Sequence, residues 1–185
     1  NTEAQADPHI GPARSVRGLR VTFVTTTYPR FDGDHTPGFV ADLAERLHAD
    51  HGIEVTVLAP HAHGLAREEQ VRGVTVRRFQ YAVRSDRQCL AYGYGIPDNL
   101  RRLPRARRQV PGLVGAMGWN VLRMLPKCDL VHAHWIEPGF IASAANTFWR
   151  RPLVLSVHSV PEELKWFHRR ALGSADRVLS TSRFA

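Results

Sequence analysis

The fold of this chain is decided by the stretch Val21-Thr-Phe-Val-Thr-Thr-Thr-Tyr-Pro-Arg-Phe-Asp-Gly-Asp-His-Thr-Pro-Gly-Phe39. Its first half is apolar and β-branched, which predicts a buried strand. Gly33 and Gly38 lie in the loop that follows, and a helix is expected to begin at Pro37 with Thr36 as its cap. A strand, a glycine-bearing turn and a helix N-terminus form the arrangement with which α/β folds hold an anionic group.

Similar strands and helices alternate along the rest of the chain, which predicts an α/β fold: a Rossmann-like parallel sheet with helices on both faces. The expected strands cover Leu19–Thr26, Ile53–Ala59, Val74–Phe79, Asp129–Ala133, Leu153–Val157 and Arg177–Thr181. The expected helices are one ending near Gly52 and those over Gly112–Leu125, Gly139–Trp149 and Pro161–Leu172. A capping box of Ser159 and Glu162 is expected before the last helix. The segment Tyr81–Pro111 is expected to be irregular because prolines and glycines interrupt it.

Length and composition predict one domain with a sizeable core, since the chain has 185 residues of which 43% are hydrophobic. Residues 1–18 are polar and contain two prolines, so we expect a flexible leader followed by a domain over 19–185. The leader lacks the apolar core of a signal peptide. No apolar run in the sequence is long enough to cross a membrane.

The net charge is +8, and lysine accounts for only two of the 25 basic residues. A basic balance favours anionic partners. The densest run supplies an expected membrane or anion patch made of Arg101, Arg102, Arg105, Arg107 and Arg108. Apolar residues flank this run, as in segments that rest on an anionic membrane surface. Poor aromatic interleaving argues against nucleic acid, and a merely solvated charged face stays open as an alternative.

Cysteine usage predicts a reducing compartment. Cys89 and Cys128 are the only cysteines, too few for a disulfide framework or a zinc site. A cytoplasmic location, with the protein held peripherally at the inner face of the membrane, is the resulting expectation.

Polar side chains that could carry chemistry follow the predicted strands. Ligands of open α/β sheets bind at the carboxyl ends of the strands, so these side chains are expected to converge on one edge. His158 ends a strand just before a helix, where its imidazole can bind a polar substrate or transfer a proton. His132 and His134 lie on one face of their strand, but no third ligand has a recognised spacing, so no metal is expected.

Seven segments resemble the N-terminal domain of family 4 glycosyltransferases, and their order and spacing make the resemblance specific from about Leu19 onwards. They are Val21-Thr-Phe-Val-Thr-Thr-Thr-Tyr-Pro-Arg-Phe31, Val55-Thr-Val-Leu-Ala-Pro60, Gly73-Val-Thr-Val-Arg-Arg-Phe79, Leu90-Ala-Tyr-Gly-Tyr-Gly-Ile-Pro-Asp-Asn-Leu100, Asp129-Leu-Val-His-Ala-His-Trp135, Pro152-Leu-Val-Leu-Ser-Val-His158 and Ala175-Asp-Arg-Val-Leu-Ser-Thr-Ser182.

The resemblance implies one half of a GT-B fold, in which two Rossmann-like domains face each other across a cleft. The N-terminal half mainly holds the acceptor, and a C-terminal half, absent here, mainly holds the nucleoside diphosphate sugar donor. It implies a retaining glycosyltransferase acting on a hydroxyl acceptor, such as a lipid-linked or surface glycan. No tightly bound cofactor and no metal are expected, and this chain alone is expected to be inactive.

The same resemblance assigns roles to individual residues. His158 is the expected catalytic residue that reaches the transferred sugar. The residues expected near the donor diphosphate and sugar are Gly33, Asp34, Gly38 and Ser182. Those expected near the acceptor are Tyr28, Arg30, Tyr92, Tyr94, His134, Trp135 and Glu137.

Ser159-Val-Pro161 departs from the family pattern, which has glycine after the histidine and an acidic residue nearby. The departure leaves the sugar contacts and the activity open. Two alternative functions also stay open: a non-catalytic basic module for anionic lipid or nucleic acid, and half of a GT-B sugar-nucleotide epimerase.

Overall fold

The computed structural model describes residues 16–34, 36, 38–159 and 163–180. The expected leader over 1–18 and the candidate Ser182 therefore lie wholly or mostly outside the described residues. Within them the chain forms a seven-stranded sheet in the order β3-β4-β2-β1-β5-β6-β7. The strands are β1 Arg20–Val24, β2 Glu54–Pro60, β3 Glu68–Val71, β4 Val74–Phe79, β5 Leu130–His134, β6 Leu153–Val157 and β7 Arg177–Ser180.

The predicted α/β architecture is confirmed. Every strand pairing is parallel except that of β3 with β4. The helices are α1 Phe39–His51, α2 Ile96–Arg102, α3 Pro104–Arg107, α4 Val110–Met124, α5 Ile136–Ala145 and α6 Trp166–Ser174. None of the helices in the described ranges is long and apolar enough to cross a bilayer.

Two apolar cores cover the two faces of the sheet, as predicted. On one face, α1 buries Val40 and Ala44 against Phe23 and Val57. On the other face, α4 buries Met117 and Val121 in a core that also contains residues of α5, α6, β5 and β6. The alternation of side chains along β1 explains the division, because Phe23 and Val24 point to opposite faces.

The predicted start of α1 is wrong. Gly38, and not Thr36, precedes the first helical residue, and its carbonyl accepts the first helical hydrogen bond from the Asp42 amide at 2.9 Å. Pro37 lies outside the described residues. The predicted end is confirmed, since Gly52 adopts the left-handed conformation that closes the helix.

Strand β3 was not predicted, because its sequence Glu-Glu-Gln-Val is polar and only four residues long. It forms an antiparallel hairpin with β4 at the edge of the sheet. Arg72 and Gly73 both have positive φ, which is the backbone that a two-residue hairpin turn requires. Strand β3 therefore forms because it pairs with β4, and not because its sequence has an apolar pattern.

The prediction that Tyr81–Pro111 is irregular is wrong for its second half. Helices α2 and α3 lie there, and α4 begins at Val110, two residues before the expected start. Pro97 and Pro104 sit in the first turns of their helices, where a proline costs no hydrogen bond. The prolines thus begin helices instead of interrupting them.

Two more helices begin elsewhere than predicted. Helix α5 begins at Ile136, three residues before the expected Gly139, with Pro138 in its first turn. Helix α6 begins at Trp166, and the described cap is the Lys165 amide donating to Nδ1 of His168 at 3.1 Å. The expected box of Ser159 and Glu162 includes a residue outside the described ranges.

Candidate functional site

The carboxyl edge of the sheet brings together most of the predicted site residues. His134 is the last residue of β5, and His158 directly follows β6. Because β5 and β6 are parallel neighbours, the two imidazoles meet, with Nδ1 of His134 3.1 Å from Nε2 of His158. The predicted convergence of histidines on one edge is therefore observed between these two strands.

The histidines form a column on the α1 face of the sheet. The rings of His132 and His134 are 4.4 Å apart, and those of His134 and His158 are 5.4 Å apart and nearly parallel. Nε2 of His132 lies 2.8 Å from the Ser156 hydroxyl. His132 and His134 are buried, while His158 is half-buried at the outer end of the column. Only His158 is therefore placed to touch a ligand directly.

Burial keeps the column neutral. It lowers the pKa of His132 to about 4 and that of His134 to about 2, with smaller contributions from the neighbouring histidines. Burial also lowers the pKa of His158. A neutral imidazole has one N–H donor and one acceptor nitrogen, so His158 can hydrogen-bond a neutral or anionic ligand without carrying a charge itself.

Trp135 holds a strained backbone at the start of α5. Its φ is +70°, which is uncommon for a residue with a bulky side chain. Its amide donates to the Ser156 carbonyl at 2.9 Å, so the link to β6 holds this conformation. The Trp135 ring packs 4.8 Å from His158, and Phe39, the first residue of α1, packs 4.6 Å from His158 on another side. Strain of this kind is concentrated at functional sites.

The glycine loop leads into an α1 N-terminus that is not capped by any side chain of the described residues. Gly33 has a φ of +80°, and Gly38 lies directly before the helix. The first amides of a helix carry partial positive charge and have no partner within the helix, so this end can receive an anion. The contact between Phe39 and His158 places that helix end beside the histidine column.

Asp34 is turned towards Arg30. Its carboxylate accepts hydrogen bonds from the backbone amide, Nε and Nη2 of Arg30 at 2.8–2.9 Å. The Arg30 guanidinium holds the pKa of Asp34 far below its usual range. Arg30 also lies 5.1 Å above the Tyr92 ring. The pair therefore fixes the start of the loop, and its charges largely neutralise each other.

A cavity of about 390 Å³ opens beside this pair, at the end of β2. Its walls include Arg30, His61, Tyr92, Tyr94 and Asn99. The volume is at the lower end of the range for small-molecule pockets. Tyr92 donates to the Pro60 carbonyl at 2.9 Å, and burial raises its pKa to about 12. Tyr94 is 70% exposed, with the Arg102 guanidinium 4.7 Å from its ring centroid.

Four of the predicted acceptor residues do not line this cavity: Tyr28, His134, Trp135 and Glu137. Tyr28 is buried in the α1-side core, and its hydroxyl has no hydrogen-bond partner in the described part of the chain. Burial raises its pKa to about 12. Glu137 is exposed in the first turn of α5, where its carboxylate lies 3.6 Å from Nε2 of His168. Buried Tyr28 and His134 can act only through neighbouring side chains.

Arg78 is a buried residue of the site that the sequence analysis missed. Its guanidinium donates to Glu69 at 2.9 Å, to the Pro29 carbonyl at 2.8 Å and to the Tyr92 hydroxyl at 3.4 Å. It therefore joins the loop after β1 to the cavity wall. A signal was present, because Arg78 shares the buried face of β4 with Val74 and Val76. An arginine on such a face must be paired.

The five arginines of the predicted patch are all exposed. They lie on or beside α2 and α3, and Val110 and Val114 of α4 are exposed close to them in sequence. Arg101 forms a surface pair with Asp98 at 3.5 Å, and Arg107 donates to the Leu100 carbonyl at 2.9 Å. The structure thus places a basic surface next to exposed apolar side chains.

Among the described residues, no group of three or more histidine, cysteine or carboxylate side chains is arranged to hold a metal ion. The rings of His132 and His134 meet face to face, and the facing nitrogens of His134 and His158 are joined to each other by a hydrogen bond.

Comparison with solved structures shows the fold. Sucrose-phosphate synthase from Thermosynechococcus elongatus matches with a TM-score of 0.59 and 16% identity, over 86% of this chain and 41% of that one. A second structure of that synthase, made of its residues 27–220 and 406–426, matches with a TM-score of 0.57 and 15% identity, over 90% of this chain and 78% of the other. The chain thus spans less than half the length of the first of these structures. The expected half of a GT-B fold is confirmed.

No curated protein sequence matches the chain. The sequence model described as "Glycosyl transferase 4-like domain" matches residues 38–185, which is most of the chain and includes the histidine column and every cavity residue except Arg30. This chain therefore belongs to the family of glycosyl transferase 4-like domains.

Proposed function

We propose that this chain is the acceptor-side half of a retaining glycosyltransferase that uses a nucleoside diphosphate sugar. A second domain would bring the donor to the carboxyl edge of the sheet. The sugar would pass from the diphosphate to a hydroxyl of an acceptor, and the chain alone would be inactive. Family membership supports the class of reaction.

The observation that carries the proposal is the contact between the start of α1 and His158. Phe39 is the first helical residue, and its ring lies 4.6 Å from the His158 ring. A diphosphate at the helix N-terminus would therefore place its attached sugar beside the imidazole. Backbone amides at this point stabilise the negative charge that grows on the leaving diphosphate.

The cavity beside Arg30 and Tyr92 suits the acceptor. It lies along the same edge, at the ends of neighbouring strands, and its walls include Arg30 and the exposed Tyr94, whose polar groups can orient hydroxyls. Holding the acceptor hydroxyl next to the sugar is itself a large part of catalysis in such a reaction.

The test is a titration of the ¹⁵N-labelled chain with UDP-glucose, ADP-glucose and inorganic pyrophosphate, followed by NMR. We expect weak binding that shifts the amides of Gly38, Phe39 and His158, with pyrophosphate competing. Phe39→Ala should weaken the shifts. Phe148→Ala, at an aromatic side chain that is 87% exposed on the segment after α5, is the matched control. Shifts confined to other parts of the sheet would refute the proposal, and so would full transferase activity of this chain alone.

A second proposal concerns the basic surface of α2 and α3. We propose that it rests on an anionic membrane, at the inner face of the cytoplasmic membrane, and brings the cavity near lipid-linked or surface glycans. The exposed arginines beside Val110 and Val114 favour this over nucleic-acid binding, because they combine charge with apolar side chains.

Vesicle sedimentation tests this surface. Binding to phosphatidylglycerol vesicles should fall steeply with salt and disappear when the five arginines become glutamine. Replacement of Arg169, Arg170 and Arg177, which are exposed on other elements, should leave most of the binding in place. Losses in simple proportion to the charge removed, five arginines against three, would show that net charge alone accounts for the binding. Tighter binding to DNA than to vesicles would favour the nucleic-acid alternative.

A further inference from the structure

His134 and His158 form one hydrogen-bonded pair whose proton positions depend on each other. Nδ1 of His134 lies 3.1 Å from Nε2 of His158. One of these two nitrogens must carry the hydrogen and the other must accept it. Which one donates decides the tautomer of both rings.

Both rings are neutral at neutral pH, because burial lowers the pKa of each. Each therefore has a single N–H. The nitrogen that takes part in the pair thus determines what the other nitrogen of the same ring offers to its surroundings.

The far nitrogen of His134 distinguishes the two arrangements. His134 is 0% exposed, and its Nε2 is buried with no hydrogen-bond partner in the described part of the chain. If His158 donated, His134 would need its hydrogen on Nε2, where it would be a buried N–H without an acceptor. If His134 donates from Nδ1, only a lone pair is left unpaired at Nε2. Buried orphaned N–H groups are the rarer defect in folded proteins.

We propose that His134 is a positioning residue that donates its Nδ1 hydrogen to Nε2 of His158 and so holds His158 in the Nδ1–H tautomer. The half-buried ring of His158 then presents a hydrogen-bond donor at the carboxyl edge of the sheet. Its other nitrogen is occupied, so His158 offers no free lone pair with which to remove a proton.

This assignment gives His158 a defined part in the reaction, and this consequence rests on the proposed function. The imidazole donates a hydrogen bond to an oxygen of the bound sugar or of its diphosphate. It does not act as a general base towards the acceptor hydroxyl. Contact with the tilted rings of Trp135 and Phe39 limits rotation of the imidazole and supports the same orientation.

The experiment is long-range ¹H–¹⁵N correlation NMR of the histidine-labelled chain at neutral pH. We expect the Nδ1 resonance of His158 in the protonated range and its Nε2 resonance in the unprotonated range. The imidazole signals of His158 are identified by their absence from the spectrum of His158→Gln. No donor, acceptor or second domain is needed, so failure of the proposed function and failure of this inference are separate results.

Three variants test the role of His134. His134→Leu should shift His158 towards the Nε2–H tautomer, and His134→Asn, which keeps a side-chain N–H, should restore the Nδ1–H tautomer in part. His132→Phe is the matched control, since it alters an equally buried ring of the same strand without removing the partner of His158.

Two results would overturn the inference. One is an Nε2–H tautomer of His158 in the unaltered chain, which would leave the His134 hydrogen on Nε2 without an acceptor among the described residues. The other is an unchanged His158 tautomer in a folded His134→Leu chain. If that variant fails to fold, the measurement on the unaltered chain still decides the tautomer.

Discussion

Single buried polar residues set the geometry of the site. Arg78 has a side chain that is 1% exposed and joins the Pro29 carbonyl, Glu69 and Tyr92. The preceding residue, Arg77, points to the other face, and its pair with Glu68 is partly exposed. Two adjacent arginines on one strand thus form ion pairs that differ strongly in burial.

Replacing Arg78 by methionine should cost about 2 kcal/mol of unfolding free energy, because Glu69 and the Pro29 carbonyl lose a buried partner. Arg77→Met is the matched control and should cost less than about 1 kcal/mol, as for other exposed pairs. Urea denaturation followed by circular dichroism measures both. Similar losses of unfolding free energy in the two variants would show that burial of Arg78 adds little to the stability of the fold.

The buried histidines make stability depend on pH. Their folded-state pKa values, about 4 for His132 and about 2 for His134, lie below the ordinary value near 6.5. As pH falls below about 6.5 the unfolded chain takes up these protons and the folded chain does not, so unfolding becomes easier. Between about pH 7 and pH 5, each of the two histidines should lower the free energy of unfolding by about 2 kcal/mol.

Denaturation of the unaltered chain and of His132→Phe over this pH range tests the dependence. The pH dependence of the free energy of unfolding should be about half as large in this variant as in the unaltered chain. His63→Gln, at an exposed histidine, is the control. A His132→Phe chain with the full pH dependence would show that His132 is protonated in the folded state.

At the scale of elements, the position of α4 is fixed by a close approach of its backbone at Gly112 to the backbone of Tyr81. A Cβ added at Gly112 would be 2.2 Å from the Tyr81 carbonyl oxygen, which is backbone and cannot move aside cheaply. The first turn of α4 is thereby held against the chain that leaves β4, beside the cavity wall. Three residues later, Gly115 is exposed and has nothing within 4 Å of its added Cβ.

The two glycines give a matched pair of substitutions in one helix. Gly112→Ala should destabilise by about 1–3 kcal/mol, because the new methyl group forces the helix away from Tyr81. Gly115→Ala should stabilise by about 1 kcal/mol, the ordinary preference of a helix interior for alanine. Thermal unfolding of both proteins compares them directly, and a stabilising Gly112→Ala would disprove the close approach.

At the scale of the whole molecule, one sheet joins two cores. The central strand β1 pairs with β2 and β5, and its alternate residues enter the cores on both faces. Neither core is complete without this strand. The described part of the chain is therefore expected to unfold as one unit, although it is only half of a GT-B fold.

Coincident unfolding curves test this expectation. Fluorescence comes from the four tryptophans Trp119, Trp135, Trp149 and Trp166, which lie on α4 and around β5, α5 and α6, so it reports mainly on that half of the sheet. Far-ultraviolet circular dichroism reports on the whole sheet. We expect the two curves in urea to superimpose. A tryptophan transition at a lower urea concentration would show that the β5–β7 half unfolds separately.

Local patterns in the sequence determined the secondary structure and the class of fold. Apolar β-branched runs predicted β1, β2, β4, β5 and β6 to within one or two residues, and helical spacing predicted α4, because these elements bury faces whose period is visible in the chain. The polar strand β3 was not predicted, because its pairing with β4 decides where it forms. Helices α2 and α3 were not predicted either, because prolines in their first turns mark where they begin.

The sequence by itself also placed His134 and His158 at one edge, because the carboxyl ends of parallel strands must meet. Only the tertiary structure decided that His134 is buried and bonded to His158, and that Arg78 joins the loops around the cavity. Those contacts join residues 24 and 49 positions apart in the chain. Their distances depend on the register and twist of packed strands, which no local pattern specifies.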